Sequence, residues 1–507
     1  MTPRLHAAID LGASSARLFS GRMEDGRLVA SLVARQPNTP VRLPSGLHWD
    51  LPGIHQFMLD QLAQLAWREG GEPLTVGTDS WGVDYGLLDG HGRLLGLPFH
   101  YRDERTSGWL SQAEGQAGAG YFFQATGTHE MEINTVFQLL AEKGSAAYNA
   151  AATLLMVPDL MAYFLTGERR FERTIASTTQ LVDIRTGELA QAVLDRLELR
   201  SDFFAPPIGP GQIYGPVLAE VAASAQLRSP TSVIAVASHD TASAVLAVPA
   251  ATNDFAYVSS GTWSLVGLEL ERPVIDEQAR LAGFSNERGA FGSVRFLRNV
   301  MGHWMLQECE RTWAREGRPV TTAELVAQAA RCPAFTTVVD VDDPQFGRPG
   351  NMPERVRAAC AGSGQRVPES EPELARAILD SMALAVAAAL DDAQRCAGRS
   401  VSAVHVVGGG AANDLLLELV AAASGLEVVA GPVEASAIGN LLVQLYATGQ
   451  VGGPEEMRAL VARSFPTKRF RPDPAASARA RSARQRYEQL VEARQRQPAA
   501  ANAGLGR

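Results

Sequence analysis

The sequence predicts an α/β protein built from two related domains, and three observations carry that prediction. Its 507 residues exceed what one hydrophobic core usually organises. Strand-like alternation and helix-like apolar stripes follow one another along the whole chain. A pattern of strand, tight Gly-centred turn and strand occurs twice, at 7–23 (AAIDLGASSARLFSGRM) and 255–268 (FAYVSSGTWSLVGL), as a duplicated domain would show it. The break in pattern at 247–254, AVPAATND, is the expected boundary. The domains then cover 1–247 and 248–475, with a tail at 476–507 expected to be helical and then disordered.

Composition narrows the function class. A 46% hydrophobic and 20% charged chain can bury a sizeable core. The net charge of −9 speaks against a nucleic-acid binder. Cys309, Cys332, Cys360 and Cys396 are too widely spaced for a zinc site or a disulfide scaffold, so free thiols are expected. The first residues run directly into a strand pattern, and the longest apolar run, 382–390, is too short to span a bilayer. A cytoplasmic protein is the expectation.

In the first hairpin, Gly12, Ala13, Ser14 and Ser15 form a small-residue turn whose backbone N–H groups can approach an anion, with Asp10 just before it able to hold a metal ion. In the second copy Gly261 and Thr262 occupy the turn and Ser259 replaces Asp10, so one half alone is expected to carry the metal. Residues 51–65 place Leu51, Ile54, Met58, Leu62 and Leu65 on one helical stripe. Trp81, Gly82 and Asp84 follow a strand, where an aromatic ring and acids suit a polyol, or equally form a core Trp and a turn Asp. Arg102, Asp103 and Arg105 read as a structural ion-pair cluster.

Further along, 157–167 reads as a helix, 174–184 as a polar loop and strand, and 218–230 as a helix. An apolar strand at 233–237 runs into His239, Asp240 and Thr241, placing one carboxylate at a strand end, where open α/β sheets present their chemistry, or else capping the next helix. Asn299 precedes a helical run ending near Gln307, and 338–351 reads as a strand and an acidic loop. Ser370 and Glu373 form a capping box for a helix to about Arg395. A strand at 401–407 enters Gly408, Gly409 and Gly410, where bare backbone admits a flat nucleoside, and Asn413 and Asp414 cap the next helix. A last Ala-rich helix covers 434–448.

Taken together, IDLGASSAR, SHDTASAV, YVSSGTWSL and VHVVGGGAAN resemble, in order and spacing, the sugar kinases of the actin-like ATPase fold, and within these the FGGY carbohydrate kinases, over 7–475. TDSWGVDYGLLDGHGRLLGLPFHYRDERT, RNVMGHWMLQ and AGPVEASAIGN resemble family members acting on L-rhamnulose. Ala16 stands where glycine is expected, and the tail beyond Asp473 has no counterpart. The resemblance implies two duplicated actin-like (ribonuclease H-like) domains flanking a deep cleft, the first with the sugar and metal site and the second with the nucleotide site. It implies ATP-dependent phosphorylation of the primary hydroxyl of L-rhamnulose, giving L-rhamnulose 1-phosphate in L-rhamnose degradation, with Mg2+. By the same resemblance, Asp240 is the base. Gly82, His239, Asp240, Thr241 and Asn299 hold the ketose. Ala13, Ser14, Ser15, Ala16, Arg17, Thr262, Gln307, Gly409 and Gly410 contact ATP, and Asp10 orients the metal. A kinase for L-fuculose or L-ribulose would share these phosphate loops, and so would a chaperone-like ATPase.

Overall fold

A computed structural model describes residues 4–68, 73–227 and 230–503, the side chains of 497–503 excepted. The chain forms two compact units. One comprises Met1–Ala251, Glu269–Leu297 and Glu434–Pro466; the other comprises Thr252–Leu268, Arg298–Val433 and Thr467–Arg507.

The first unit is organised by a six-stranded sheet in the order Ile213–Pro216, Ser232–Ile234, Thr75–Ser80, His6–Leu11, Ser15–Glu24 and Arg27–Pro37. His6–Leu11, Thr75–Ser80 and Ser232–Ile234 run parallel, and the first two are buried throughout, as expected of central strands covered on both faces. His6–Leu11 turns back as an antiparallel hairpin with Ser15–Glu24. Leu51–Arg68 is the expected helix, and all five residues of its apolar stripe are buried. Helix Ala435–Ala447 packs on helix Asp240–Leu246 through Gly439, where any Cβ would collide with the Ser243 backbone.

In the second unit, Phe255–Ser260 pairs antiparallel with Trp263–Leu270 and parallel with Ala403–Val407, which is followed in the sheet by Glu427–Ala430 and Lys468–Phe470. The hairpin thus recurs beside a parallel strand, as in the first unit. Helix Glu371–Ala397 carries the full capping box between Ser370 and Glu373, and Asn413 caps helix Asp414–Ser424 by accepting from Leu416 N. Helix Pro474–Ala503 occupies most of the tail. The remaining expected tail residues, 504–507, lie outside the described residues.

Four expectations need correction. Residues 174–184 hold a short helix, Arg173–Ala176, and turns, because their Thr and Ser hydroxyls bond backward to the carbonyls of Thr174, Ile175 and Ala176 instead of leaving the backbone to a ladder. Residues 338–340 are not a strand: Val338 N and O bond to the Gln365 side chain and Val339 N to Ser381 Oγ. The helix within 218–230 is only Ala219–Ser224, and the predicted 228–229 lie outside the described residues. The arginine cluster is also different: Asp103 accepts from Leu47 N and Arg105 N, while Arg105 pairs with Glu142 at 3.2 Å. None of the four cysteines, all among the described residues, is in a disulfide. No helix among the described residues is long and apolar enough to cross a membrane.

Candidate functional site

In the first unit the site grows from the carboxyl ends of adjacent parallel strands. Asp10 and Asp79 are direct partners across His6–Leu11 and Thr75–Ser80, so their side chains leave the sheet on one face. Ser80 bridges to His239 on the next segment, with Ser80 N donating to Ser238 O at 2.8 Å. The chain then enters helix Asp240–Leu246 with His239 at the N-cap position and Asp240 as the first helical residue. Asp240 is therefore not the cap. Its side chain is 28% exposed and accepts from Thr241 Oγ1 at 3.1 Å.

His239 is fixed from behind. Arg295, with a side chain 0% exposed, lies with Nη2 2.9 Å from His239 Nδ1 and 2.9 Å from Glu287 Oε2. A guanidinium can only donate, so Nδ1, although it also lies 3.1 Å from Glu287 Oε2, accepts from Arg295 and the ring proton sits on Nε2, which faces Asp240 Oδ1 at 3.5 Å. Glu287 Oε2 receives no hydrogen bond of good geometry, which agrees with an Nδ1 that carries no proton. Burial alone would raise the Glu287 carboxyl, but the charge of the Arg295 guanidinium outweighs it and holds it below its ordinary value. Glu172, also buried, accepts through Oε2 from Thr174 N, Thr174 Oγ1, Ile175 N and Ser238 N, while Thr174 Oγ1 accepts from His239 N. The backbone before Asp240 is thus held by a carboxyl that burial pushes up to about 7.

Asp10 is 1% exposed, and neither of its oxygens accepts a hydrogen bond, although Arg17 Nη2 lies 2.9 Å from Oδ2. Asp79 accepts from Asn440 Nδ2 at 2.6 Å through Oδ2 and leaves Oδ1 unmet. Burial raises Asp10 to about 6 against the pull of Arg17, with Asp240 and Glu434 adding to the rise, and burial together with Asp10 pushes Asp79 well up. Arg17 also pairs with Glu434 at 2.6 Å. Asp10 Oδ1 and Asp79 Oδ1, which no protein group meets, fit a hard cation. Among the described residues no three His, Cys, Asp or Glu side chains chelate an ion by themselves. Asp10 and Asp79, in register on one sheet face, match the one or two carboxylates that Mg2+ takes, water and phosphate completing its shell.

The turn after Asp10 directs its acceptors inward. Gly12 O accepts from Asn38 Nδ2, Ser14 O from Asn38 N, and Ser15 O from Gly12 N. Ala13 is half-buried, Ser14 exposed, and Ser15 and Ala16 buried, so Ala16 offers an outside ligand only its backbone. Gly82 packs its Cα on Thr178, where a Cβ would come within 3.1 Å.

Of the two readings of Trp81, the core one holds and the open sugar platform is not there. Its ring is 5% exposed, lies 4.0 Å from Trp49 and donates Nε1 to Asp84. Asp84 is fully buried, accepts also from Trp49 Nε1, Gln138 Nε2 and Tyr101 N, and is raised by burial to about 6. Both residues build the wall behind Gly82, because four donors satisfy the acid best when it points inward.

In the second unit the turn repeats the same device. Gly261 O accepts from His303 N, Thr262 O from Trp304 N, and Trp263 O from Gly261 N. The close approach of Gly302 makes this possible, since a Cβ there would lie 2.7 Å from both the Gly261 and Thr262 oxygens. Gln307 follows one turn into helix Trp304–Arg315, its N–H donating to His303 O. Gly408, with φ 82°, passes so close to Ser260 O that a Cβ would sit 2.9 Å away. A Cβ on Gly410 would strike Ser260 and the His303 ring, whereas Gly409 is exposed with its nearest such neighbour at 3.9 Å. Thr262, Gln307, Gly409 and Gly410 therefore gather around His303. Asn299 lies on strand Val294–Met301, three residues before Gly302.

Asp79, Glu172, Glu287, Arg295, Asn38 and Gly302 were not picked out by the sequence. Only Asp79 had a local signal, an acid at the end of the run TVGTD preceding Trp81 and Gly82.

Residues 5–247 match the N-terminal domain of the FGGY family of carbohydrate kinases, and residues 256–448 match its C-terminal domain. A rhamnulokinase of Bacteroides thetaiotaomicron is 38% identical over 92% of this chain and 95% of its own, and one of Yersinia pestis is 39% identical over 92% and 94%. Among solved structures, a ligand-bound xylulose kinase from Lactobacillus acidophilus superposes with TM-score 0.79 at 16% identity, covering 97% of this chain and 98% of the other. Plasmodium falciparum glycerol kinase with ADP gives 0.75 at 13% identity over 97% and 98%. These establish the actin-like ATPase fold.

Proposed function

Because the chain belongs to the FGGY family of carbohydrate kinases, we propose that it transfers the γ-phosphoryl group of ATP to the primary hydroxyl of L-rhamnulose, giving L-rhamnulose 1-phosphate and ADP. The observation that carries the substrate is identity of 38–39% to proteins named rhamnulokinase over more than nine-tenths of the chain.

Phosphoryl transfer asks for positioning and charge stabilisation more than for covalent help. In this reading Asp240 accepts the hydroxyl proton as the sugar oxygen bonds to the γ-phosphorus and the bond to the β,γ-bridging oxygen breaks. The Nε2–H of His239 faces the Asp240 carboxylate and orients it, and Arg295 keeps that proton on Nε2. Thr241, Gly82 and Asn299 bind ketose hydroxyls, with Gly82 backed by the Trp81 and Asp84 wall. The turns at Gly12 and Gly261, their carbonyls occupied inward, offer N–H groups to phosphate, aided by Ser14, Ser15, Arg17 and Thr262. Gly409, Gly410 and Gln307 receive the nucleoside. Asp10, with Asp79 beside it, would hold Mg2+ and supply charge neutralisation to the phosphates. In this reading the acids and most of the sugar contacts lie on the first unit, Asn299 and the nucleoside contacts on the second, and each unit lends one turn to the phosphates.

The test is purified protein with ATP and a panel of ketoses, following ADP release and sugar phosphate. Product formed with L-rhamnulose at far higher kcat/KM than with L-fuculose or L-ribulose supports the reading. Preference for another ketose reassigns the substrate, and ATPase indifferent to every ketose abandons the kinase.

A further inference from the structure

Val83 is the most strained position near the site. Its φ is 68°, a left-handed value that a β-branched side chain strongly disfavours. Asp84 N donates to Gly82 O at 2.9 Å, an i→i+2 bond that, about a positive central φ, makes the rare and strained form of γ-turn. The surroundings over-determine this turn. Val83 N donates to Thr178 Oγ1 at 3.1 Å, and Val83 O accepts from Thr135 Oγ1 at 2.6 Å and from Gln138 Nε2 at 3.3 Å. Gln138 Nε2 also holds Asp84 Oδ1 at 2.8 Å, and Thr178 is itself tied to Ile175 O. Every polar group of residues 83 and 84 is thereby drawn inward, and Gly82 is left at the bend, two residues past the Ser80 that bridges to His239.

Glycine would adopt this φ without strain, yet valine stands there, its side chain packed on the core. Strain of this kind persists where a fixed geometry is needed. We propose that Val83 is a positioning residue for the ketose: the strained turn locks Gly82 into one backbone conformation beside His239, so that the sugar meets a preformed partner and does not have to order the loop. This rests on the reading of Gly82 as part of the ketose site.

The test is Val83→Gly. Relief of strain should leave the melting temperature equal to or above that of the natural chain. A freed glycine must be ordered on binding at about 1 kcal/mol, so the KM for ketose should rise about fivefold while the KM for ATP stays within twofold. Thr178→Val, which keeps the side-chain shape but removes the acceptor for Val83 N, should raise ketose KM likewise, with a lower melting temperature. A merely structural turn would move stability without this split between the two substrates. Unchanged ketose KM in Val83→Gly, or a melting temperature several degrees lower, overturns the proposal. Failure of the natural chain to use L-rhamnulose, with another ketose turned over normally, overturns the substrate reading instead, and the split is then read with that ketose.

Discussion

Replacing Asp240 by Asn separates chemistry from structure at this site. The amide keeps the size and can still accept from Thr241 Oγ1, so the contacts of the side chain survive. What is lost is the group proposed to take a proton, and general-base assistance amounts to about a hundred- to ten-thousand-fold, or about 3–5 kcal/mol of barrier. Stability should move much less. Loss of a carboxylate in the first helical turn costs about 0.3–1 kcal/mol, and removing its repulsion of Asp10 and Asp79 offsets part of that. A melting temperature within about 2–4 °C of the natural chain follows. Ketose binding, read by calorimetry, should weaken by no more than about one or two kcal/mol, the worth of a charge-assisted bond. Coupled-assay kcat on the folded variant decides the matter: turnover within a few-fold of the natural chain would leave Asp240 a helix-terminal acid and refute the role given to it.

Four further outcomes are expected. Gly302→Ala should displace the Gly261 turn, since the new methyl meets two carbonyl oxygens at 2.7 Å, and raise KM for ATP about tenfold with ketose KM little changed. Gly409→Val should do the same by filling open space, and is the cleaner probe of the nucleoside than Gly410→Val, which also strikes Ser260 and His303; unchanged KM for ATP would move the nucleoside elsewhere. Arg295→Met strands the buried Glu287 and should cost about 3–5 kcal/mol in urea unfolding, with much of that regained in Arg295→Met/Glu287→Met. Stability should also depend on pH through Glu172: the folded state keeps a proton up to about pH 7 that the unfolded chain releases near 4.5, so its contribution is full below 4.5 and lost as pH rises through 7. Glu172→Gln should flatten the fall in unfolding free energy over that window, and an unaltered slope would show Glu172 ionised throughout.

How much of this was legible follows the range of the interactions. The two hairpins, the stripe of helix Leu51–Arg68 and the Ser370 capping box are fixed by residues a few positions apart, and each forms as its local pattern requires. The supports of the site are not local. Asp79 is met by Asn440, His239 by Arg295, and Ser238 N by Glu172, partners that no window of sequence sets side by side. The two readings left open for Trp81 have the same origin: which face of the strand end the ring takes is decided by Trp49 and the Asp84 acceptor, not by its neighbours in sequence. The false strand at 338–340 failed because side chains of Gln365 and Ser381 claim its backbone before any neighbouring strand can.

The duplicated hairpins show how one backbone device serves two electrostatic tasks. Both turns send their carbonyls inward to protein donors, which leaves an amide edge suited to an anion in either copy. They differ two residues before the glycine, where the first has Asp10 and the second Ser259. An acid beside a phosphate repels it unless a cation lies between them, and while Arg17 pairs with Asp10 Oδ2, Asp10 Oδ1 is buried and unmet, with a second acid, Asp79, in register beside it. The first turn is therefore suited to phosphate that arrives with its metal, and the second to phosphate bound by amides alone. Asp10→Asn should accordingly steepen the dependence of turnover on Mg2+, whereas Ser259→Ala should leave it unchanged; equal Mg2+ dependence in both variants would mean that the two turns never diverged in this way.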